Sequence, residues 1–303
     1  ASDVYKRQLI NSGFFKLLDR EAYMQAPEAL INRPKFRDWR IIDAQTLISG
    51  TVSKKAENKV SVSIEMWDVY GERRMLGITL ASKVRSWRRI AHIFSDKVYE
   101  RLTGETGYFD TRIVYISETG DQKNRIKRLA IMDQDGANHK FLTDGKSLVL
   151  TPRFSPSSQK ITYMSYMTRN SPRVYIFDIE TGHQEIVGEF PGMTFAPRFS
   201  PDGKKIIMSY ADPDVGNSEI YILDLATRVS SRVTNSSAID VSASFSPDGK
   251  KIVFNSDRSG RRHLYVAESD GQNLKRISKE RGSYYTPVSV SYTHLTLPTI
   301  LLV

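Results

Sequence analysis

The chain contains no cysteine in 303 residues. Disulfide bonds, thiolate nucleophiles and cysteine-ligated zinc are therefore excluded. The compartment stays open, because oxidising compartments also hold proteins without disulfides. No run approaches the 18 or more consecutive apolar residues of a membrane-spanning helix. Residues 1–7 show no apolar core behind a basic start, so no secretory leader is legible. Histidine is scarce, and the five (His92, His139, His183, His263 and His294) lie far apart with no His-x-x-x-His pair. A Gly-x-Ser-x-Gly nucleophile elbow is missing, as is a glycine-rich phosphate loop. The expectation is no catalytic residue, no metal and no cofactor.

What is present is ordinary for a folded chain: 40% hydrophobic residues, with 44 Lys+Arg against 34 Asp+Glu and a formal net charge of +10. The basic excess is spread along the chain, which reads as solvated surface and not as a nucleic-acid interface. The length accommodates two domains, each with its own core.

The dominant pattern is a repeat with a period of about 45 residues. It reads Pro-x-Phe-Ser-Pro-Asp-Gly-Lys-Lys-Ile, then a β-run, a polar loop and a second β-run ending in Asp. Copies start at Pro152, Pro197 and Ala243, and a fourth opens at Pro287 and fails. In the copy at 196–235, residues 196–200 predict a first strand, 204–210 a second, 219–225 a third and 232–234 a short outer strand. Ser200-Pro201-Asp202-Gly203 supplies the tight turn, with Gly at the position that needs a positive φ. Four short antiparallel strands per unit describe a β-propeller blade. Phe154, Phe199 and Phe245 recur in one slot and Tyr175, Tyr221 and Tyr265 in another, as residues packing between blades would. Asp133, Asp178 and Asp224 recur as turn formers; calcium binding is the weaker reading of them. The first unit (111–117, 128–133, 140–143) lacks an opening strand. Propellers commonly close by taking such a strand from the other end of the chain.

Residues 9–107 carry no repeat and have mixed α/β character. Residues 9–19 read as a helix end and a turn; 44–53, 59–69 and 73–82 alternate as strands with hairpin turns between them. Ser86 is placed to cap a helix whose apolar face carries Trp87, Ile90, Ile93, Phe94, Val98 and Leu102, with a stop at Thr103-Gly104. At both ends the pattern breaks. Residues 1–8 open abruptly, and after Val288 the repeat register is lost, so 1–8 and 289–303 are expected to be non-native adaptor-like sequence. The organisation expected is therefore an α/β N-terminal domain over 9–107, then an all-β partial propeller over 108–288 with about four blades. Such a piece would leave sheet edges uncovered and be prone to aggregate.

Several strings carry a resemblance. They are Phe36-Arg37-Asp38-Trp39-Arg40, Trp67-Asp68-Val69, Trp87-Arg88-Arg89-Ile90-Ala91-His92, and Tyr99-Glu100-Arg101-Leu102-Thr103-Gly104-Glu105. To these are added Gly107-Tyr108-Phe109-Asp110-Thr111-Arg112 and the run Arg128–Asn138 (Arg-Leu-Ala-Ile-Met-Asp-Gln-Asp-Gly-Ala-Asn). Over residues 9–288 the chain resembles the TolB family of the bacterial Tol–Pal system, closest to its alphaproteobacterial members. The resemblance implies a six-bladed propeller behind an α/β domain and a non-enzymatic periplasmic scaffold, monomeric at full length. Its implied partners are the lipoprotein Pal, on the propeller face, and TolA, through the extreme N-terminus. The implied roles are outer-membrane integrity and envelope constriction at division.

Recognition in propellers sits on loops at one face of the blades. The loops entering first strands (191–195, 236–241 and 283–286) and those between second and third strands (117–124, 165–171, 211–218 and 256–262) share that face. They give the candidate partner-binding residues Met193, Thr194, Phe195, Ile239, Asp240, Arg258, Tyr284 and Tyr285. The alternative is the propeller of a prolyl-oligopeptidase-like serine peptidase whose catalytic domain lies elsewhere. The N-terminal strings favour the scaffold.

Overall fold

The computed structural model describes residues 2–30, 33–167, 172–188, 190–280 and 282–289. The suspect tail therefore lies outside the described residues apart from Ser289. The chain divides into two compact units, one of residues 1–113 with 132–138, the other of 114–131 with the remainder from 139 onward.

In the first unit, strands β1 (Thr46–Ala56), β2 (Lys59–Asp68) and β3 (Arg73–Lys83) form an antiparallel meander in the order β1-β2-β3. The alternation of β2 explains its two faces. Val60, Val62, Ile64 and Met66 face a core shared with Ile90, Phe94, Val98 and Tyr99 of a helix, α3 (Trp87–Thr103). Phe109 and Leu9 complete that core, and Phe109 and Met66 are fully buried. Burial of such side chains stabilises by roughly 1.5–3 kcal/mol each. Leu9 belongs to α1 (Ser2–Asn11), a helix that runs across residue 8; Gln8 is buried and accepts a hydrogen bond from Ser95 Oγ at 2.8 Å. A short helix α2 (Phe36–Ile41), which the strand alternation did not reveal, buries Phe36 and Trp39.

Helix α3 follows its expected bounds, with two differences. Ser86 occupies the N-cap position but its side chain makes no capping bond, and Trp87 and Leu102 at the helix ends are 38% and 36% exposed. The buried face instead takes in His92 and Ser95. The stop is as expected: Gly104 adopts φ 77° and donates to Glu100 O at 2.9 Å. Behind it Asp96 accepts from the backbone N–H groups of Phe109 (2.6 Å) and Asp110 (3.1 Å). Gly107 lies so close to Asp96 that an added Cβ would meet it at 2.4 Å.

The repeat builds four sheets. The first has three strands, β4 (Arg112–Thr119), β5 (Ile126–Asp133) and β6 (Lys140–Phe141). The others have four antiparallel strands each: β7 (Val149–Phe154), β8 (Lys160–Ser165), β9 (Arg173–Asp178) and β10 (Gln184–Ile186); β11 (Met193–Phe199), β12 (Lys205–Ala211), β13 (Ser218–Asp224) and β14 (Ser230–Arg232); β15 (Asp240–Phe245), β16 (Lys251–Ser256), β17 (His263–Glu268) and β18 (Lys275–Arg276). Each apolar cluster joins consecutive sheets. Val174, Ile176 and Val187 pack on Ile206, Met208 and Leu223; Ile207 and Ile220 pack on Ala243, Phe245, Phe254 and Tyr265. Phe154, Phe199, Phe245, Tyr175 and Tyr265 belong to or pack against these clusters, whereas Tyr221 packs edge-on against Phe190 and Tyr210.

The first strands begin earlier than the sequence suggests. Met193–Phe195 and Asp240–Val241, expected in entering loops, are already paired in β11 and β15. A β-bulge divides each first strand, and at it Thr151, Ala196 and Ser242 adopt φ of 51°, 51° and 59°. Thr286 repeats the conformation at φ 46°, in register with the fourth copy. Non-glycine residues at positive φ are costly and give no sequence signal, so the strand looked shorter than it is. The Ser-Pro-Asp-Gly turn behaves as expected: Gly203 has φ 72°, and Asp202 Oδ1 accepts from Ser200 Oγ (2.5 Å) and Lys204 N (3.0 Å).

Candidate functional site

The register places the starts of β11 and β15 beside the ends of β12 and β16: Met193 pairs with Ala211 and Asp240 with Ser256. The entering segments and the loops after the second strands therefore share one end of their sheets, as the blade pattern requires.

The eight candidate residues divide into two kinds. Met193 (45% exposed), Ile239 (37%) and Tyr285 (53%) present apolar surface to solvent, and Phe195 and Tyr284 are half-buried. Thr194 and Asp240 are buried and have internal partners. Thr194 Oγ1 accepts the N–H of Val174 at 3.0 Å. Asp240 Oδ2 accepts from Arg258 Nη2 at 2.6 Å while Oδ1 has no partner, and burial pushes this carboxyl above its ordinary range against the pull of Arg258. Arg258 also donates through Nε to Ser256 Oγ (2.8 Å) and lies over the ring of Tyr265 at 5.1 Å.

Ile239, Asp240, Arg258, Tyr284 and Tyr285 come together at one end of the β15–β18 sheet. The Ile239 N–H donates to Asp257 Oδ1 (2.8 Å), next to Arg258. Tyr284 N donates to Arg262 O (3.0 Å), and Thr286 N to Asn255 Oδ1 (2.8 Å), which holds the aromatic pair against β16 and β17. The Arg262 guanidinium lies over the Tyr285 ring at 5.3 Å. Met193 to Phe195 sit at the corresponding end of the preceding sheet.

Glu219 is a bracing residue behind this face that sequence reasoning missed. Buried at the start of β13, its Oε1 accepts from Ser236 N (2.7 Å), Arg232 Nη2 (2.9 Å) and Asn217 Nδ2 (3.2 Å), and Oε2 accepts from Thr234 Oγ1. It fixes the segment that leads into Ile239 and Asp240. Its counterparts at the start of β9 and β17 are Arg173, which donates to the carbonyl of Gly192, and His263, whose Nδ1 is 3.0 Å from Ser278 Oγ. All three secure the segment that follows their sheet's last strand with different chemistry, so no residue identity recurs at this slot for a motif to detect. A hydroxyl does recur: Thr143, Thr194, Thr234 and Ser278 accept the N–H of Leu129, Val174, Ile220 and Leu264. The loops are thus presented on a braced frame, which lowers the ordering cost of binding.

Comparison with known proteins agrees with this architecture. The TolB amino-terminal domain matches residues 1–75 and the TolB beta propeller domain residues 99–297. The Tol-Pal system protein TolB of Pelagibacter ubique (strain HTCC1062) is 56% identical over 193 residues, covering 64% of this chain and 43% of that protein. The chain therefore spans less than half the length of this curated relative. A crystal structure of TolB from Acinetobacter baumannii superposes with a TM-score of 0.83 at 30% identity, covering 95% of this chain and 70% of the other. With both domains matched in order and the fold shared with a solved member, this chain belongs to the TolB family.

Proposed function

We propose that the chain is the N-terminal domain and part of the propeller of a non-enzymatic scaffold of the Tol–Pal system. It works in the periplasm, receives the lipoprotein Pal on the face carrying Met193, Ile239, Arg258 and Tyr285, and communicates with TolA. Its contribution is to outer-membrane integrity and to envelope constriction at division. One observation carries the reading: the TolB amino-terminal domain and the TolB propeller occur in one chain in the family's order. The site geometry supports it, since exposed apolar and aromatic groups sit on a braced frame, with Arg258 paired to Asp240 beside Ile239, the composition of interface anchors.

Binding of Pal to the full-length protein by titration calorimetry tests this. Met193→Asp, Ile239→Asp and Tyr285→Asp each place a charge at a contact and are expected to weaken binding by about tenfold or more. Asp178→Ala, in a turn away from this face, leaves binding unchanged. Pal affinity indifferent to all three face substitutions, or absence of Pal binding by the folded full-length protein, overturns the assignment.

A further inference from the structure

Helix α3 carries Arg88 and His92 one turn apart, and both face the β5–β6 turn, which belongs to the same compact unit. That turn supplies Asp133 and Asp135. Arg88 Nη2 donates to Asp135 Oδ2 at 2.5 Å, and Arg88 Nε is 3.8 Å from Asp133 Oδ2. Asn138 Nδ2 donates to the same Asp133 oxygen at 2.6 Å, and the Ala137 N–H donates to Asp135 Oδ1 at 3.2 Å. His92 is 3% exposed, and its Nε2 has no hydrogen-bond partner. This nitrogen points at Asp135 Oδ2 from 3.6 Å, beyond hydrogen-bond reach. A buried imidazole nitrogen left unpaired has given up its bonds to water with nothing in return and calls for an explanation.

Three donor atoms, one each from His92, Asp133 and Asp135, lie within 4.8 Å of one another. Two donors held at about 2.0–2.2 Å from one ion at a tetrahedral angle are about 3.4 Å apart, close to the His92–Asp135 separation. One imidazole with two carboxylates is a donor set for a borderline divalent ion, with the remaining positions open to water. Two carboxylates face the single guanidinium of Arg88 here. We propose that His92, Asp133 and Asp135 form a binding site for a divalent transition metal of the zinc class, for which Arg88 competes. Without metal, the Arg88 guanidinium holds the carboxylates. With metal, His92 Nε2 gains its missing partner, Arg88 is displaced toward solvent, and the ion ties α3 to the β5–β6 turn. Spacing along the chain hid the site, since the histidine lies some forty residues before the carboxylates and on a different element.

The test is titration of the metal-free 303-residue chain with Co2+ and Zn2+, followed by visible absorption and calorimetry. The expected result is one equivalent of Co2+ with a ligand-field spectrum of nitrogen and oxygen donors, displaced by Zn2+. His92→Gln and Asp133→Asn are expected to weaken binding by about tenfold or more. Arg88→Gln, which removes the competing cation, tightens it by about tenfold. Circular dichroism of each variant separates a lost ligand from a lost fold, and the Arg88→Gln gain cannot arise from unfolding. No saturable metal binding overturns the proposal, with a water satisfying Nε2 instead. Binding that survives His92→Gln unchanged also overturns it, by placing the metal at another histidine.

Discussion

The turn after the third strand occurs in every sheet of the repeat, and its first copy is built differently from the next two. In the β9–β10 and β13–β14 turns the aspartate serves its own loop. Asp178 Oδ1 accepts from the N–H groups of Glu180 and Thr181, and Asp224 Oδ1 from those of Ala226 and Thr227. In the β5–β6 turn Asp133 is turned instead toward Asn138 and Arg88, while Asp135 takes over the turn bond to Ala137 and pairs with Arg88 beside His92. The fourth copy, the β17–β18 turn, shares the bond of the first, Asp270 Oδ1 accepting from the Gln272 N–H at 3.0 Å, so what sets the first turn apart is its pairing with Arg88 of α3. The backbone divides the same way: the first and fourth turns close with bonds from Gly136 to Asp133 and from Gly271 to Glu268, the second and third with bonds one residue longer, from Gly182 to Asp178 and from Arg228 to Asp224.

The largest expected effect breaks this contrast at its source. Arg88→Ala leaves two partly buried carboxylates without their cation and should cost about 2 kcal/mol in urea unfolding. Asp224→Ala, which removes a solvent-exposed capping carboxylate, should lower the midpoint by a smaller amount. An equal loss in the two variants would mean that the helix adds nothing to the first turn.

Acid titration sharpens the contrast. Backbone N–H groups, Thr181 for Asp178 and Thr227 for Asp224, hold these carboxyls below their ordinary value of 3.8; the Ser200 and Ser246 hydroxyls do so foremost for Asp202 and Asp248. A depressed folded value means that these turns contribute their stability in full above the unfolded pKa. The contribution fades as pH falls below about 4 and through the lower folded values. Asp202→Asn with Asp248→Asn should flatten the acid limb of stability against pH. Asp96 has the opposite sign, because burial raises its carboxyl despite the bonds from Phe109 and Asp110. Its ionisation opposes folding as pH rises past the unfolded value, so Asp96→Asn, which removes that opposing contribution, should steepen the acid limb.

The smallest effect concerns the bulge that the first strands β7, β11 and β15 share. Thr151 is β-branched at φ 51°. Thr151→Gly relieves left-handed strain of about 1–2 kcal/mol and loses about 0.5–1 to backbone entropy, for a net gain of about 0.5 kcal/mol. A clear loss of stability in thermal unfolding would show that the Thr151 side chain does more than tolerate the bulge.

Much of the fold was legible because its signals are local. Asp-Gly fixes a hairpin turn, alternation fixes which face of β2 is buried, and Thr103-Gly104 ends α3. The candidate face was legible in part. Met193, Ile239 and Tyr285 are exposed, whereas Thr194 and Asp240 are buried. Glu219 and the Arg88–His92–Asp133–Asp135 group gave no pattern, because each depends on side chains that meet only after the chain has folded.

The sequence by itself determined the period, the strand and turn grammar, the α/β character of residues 9–107 and, through its particular strings, the family. Those properties are set by neighbours a few residues apart. Only the tertiary structure decided that Asp240 is buried while Ile239 beside it is exposed. Only it brought His92 within 3.6 Å of Asp135. Burial and charge pairing are properties of space and not of order along the chain: the free energy of a carboxylate depends on which donors and cations surround it, and those come from segments that the linear sequence keeps apart.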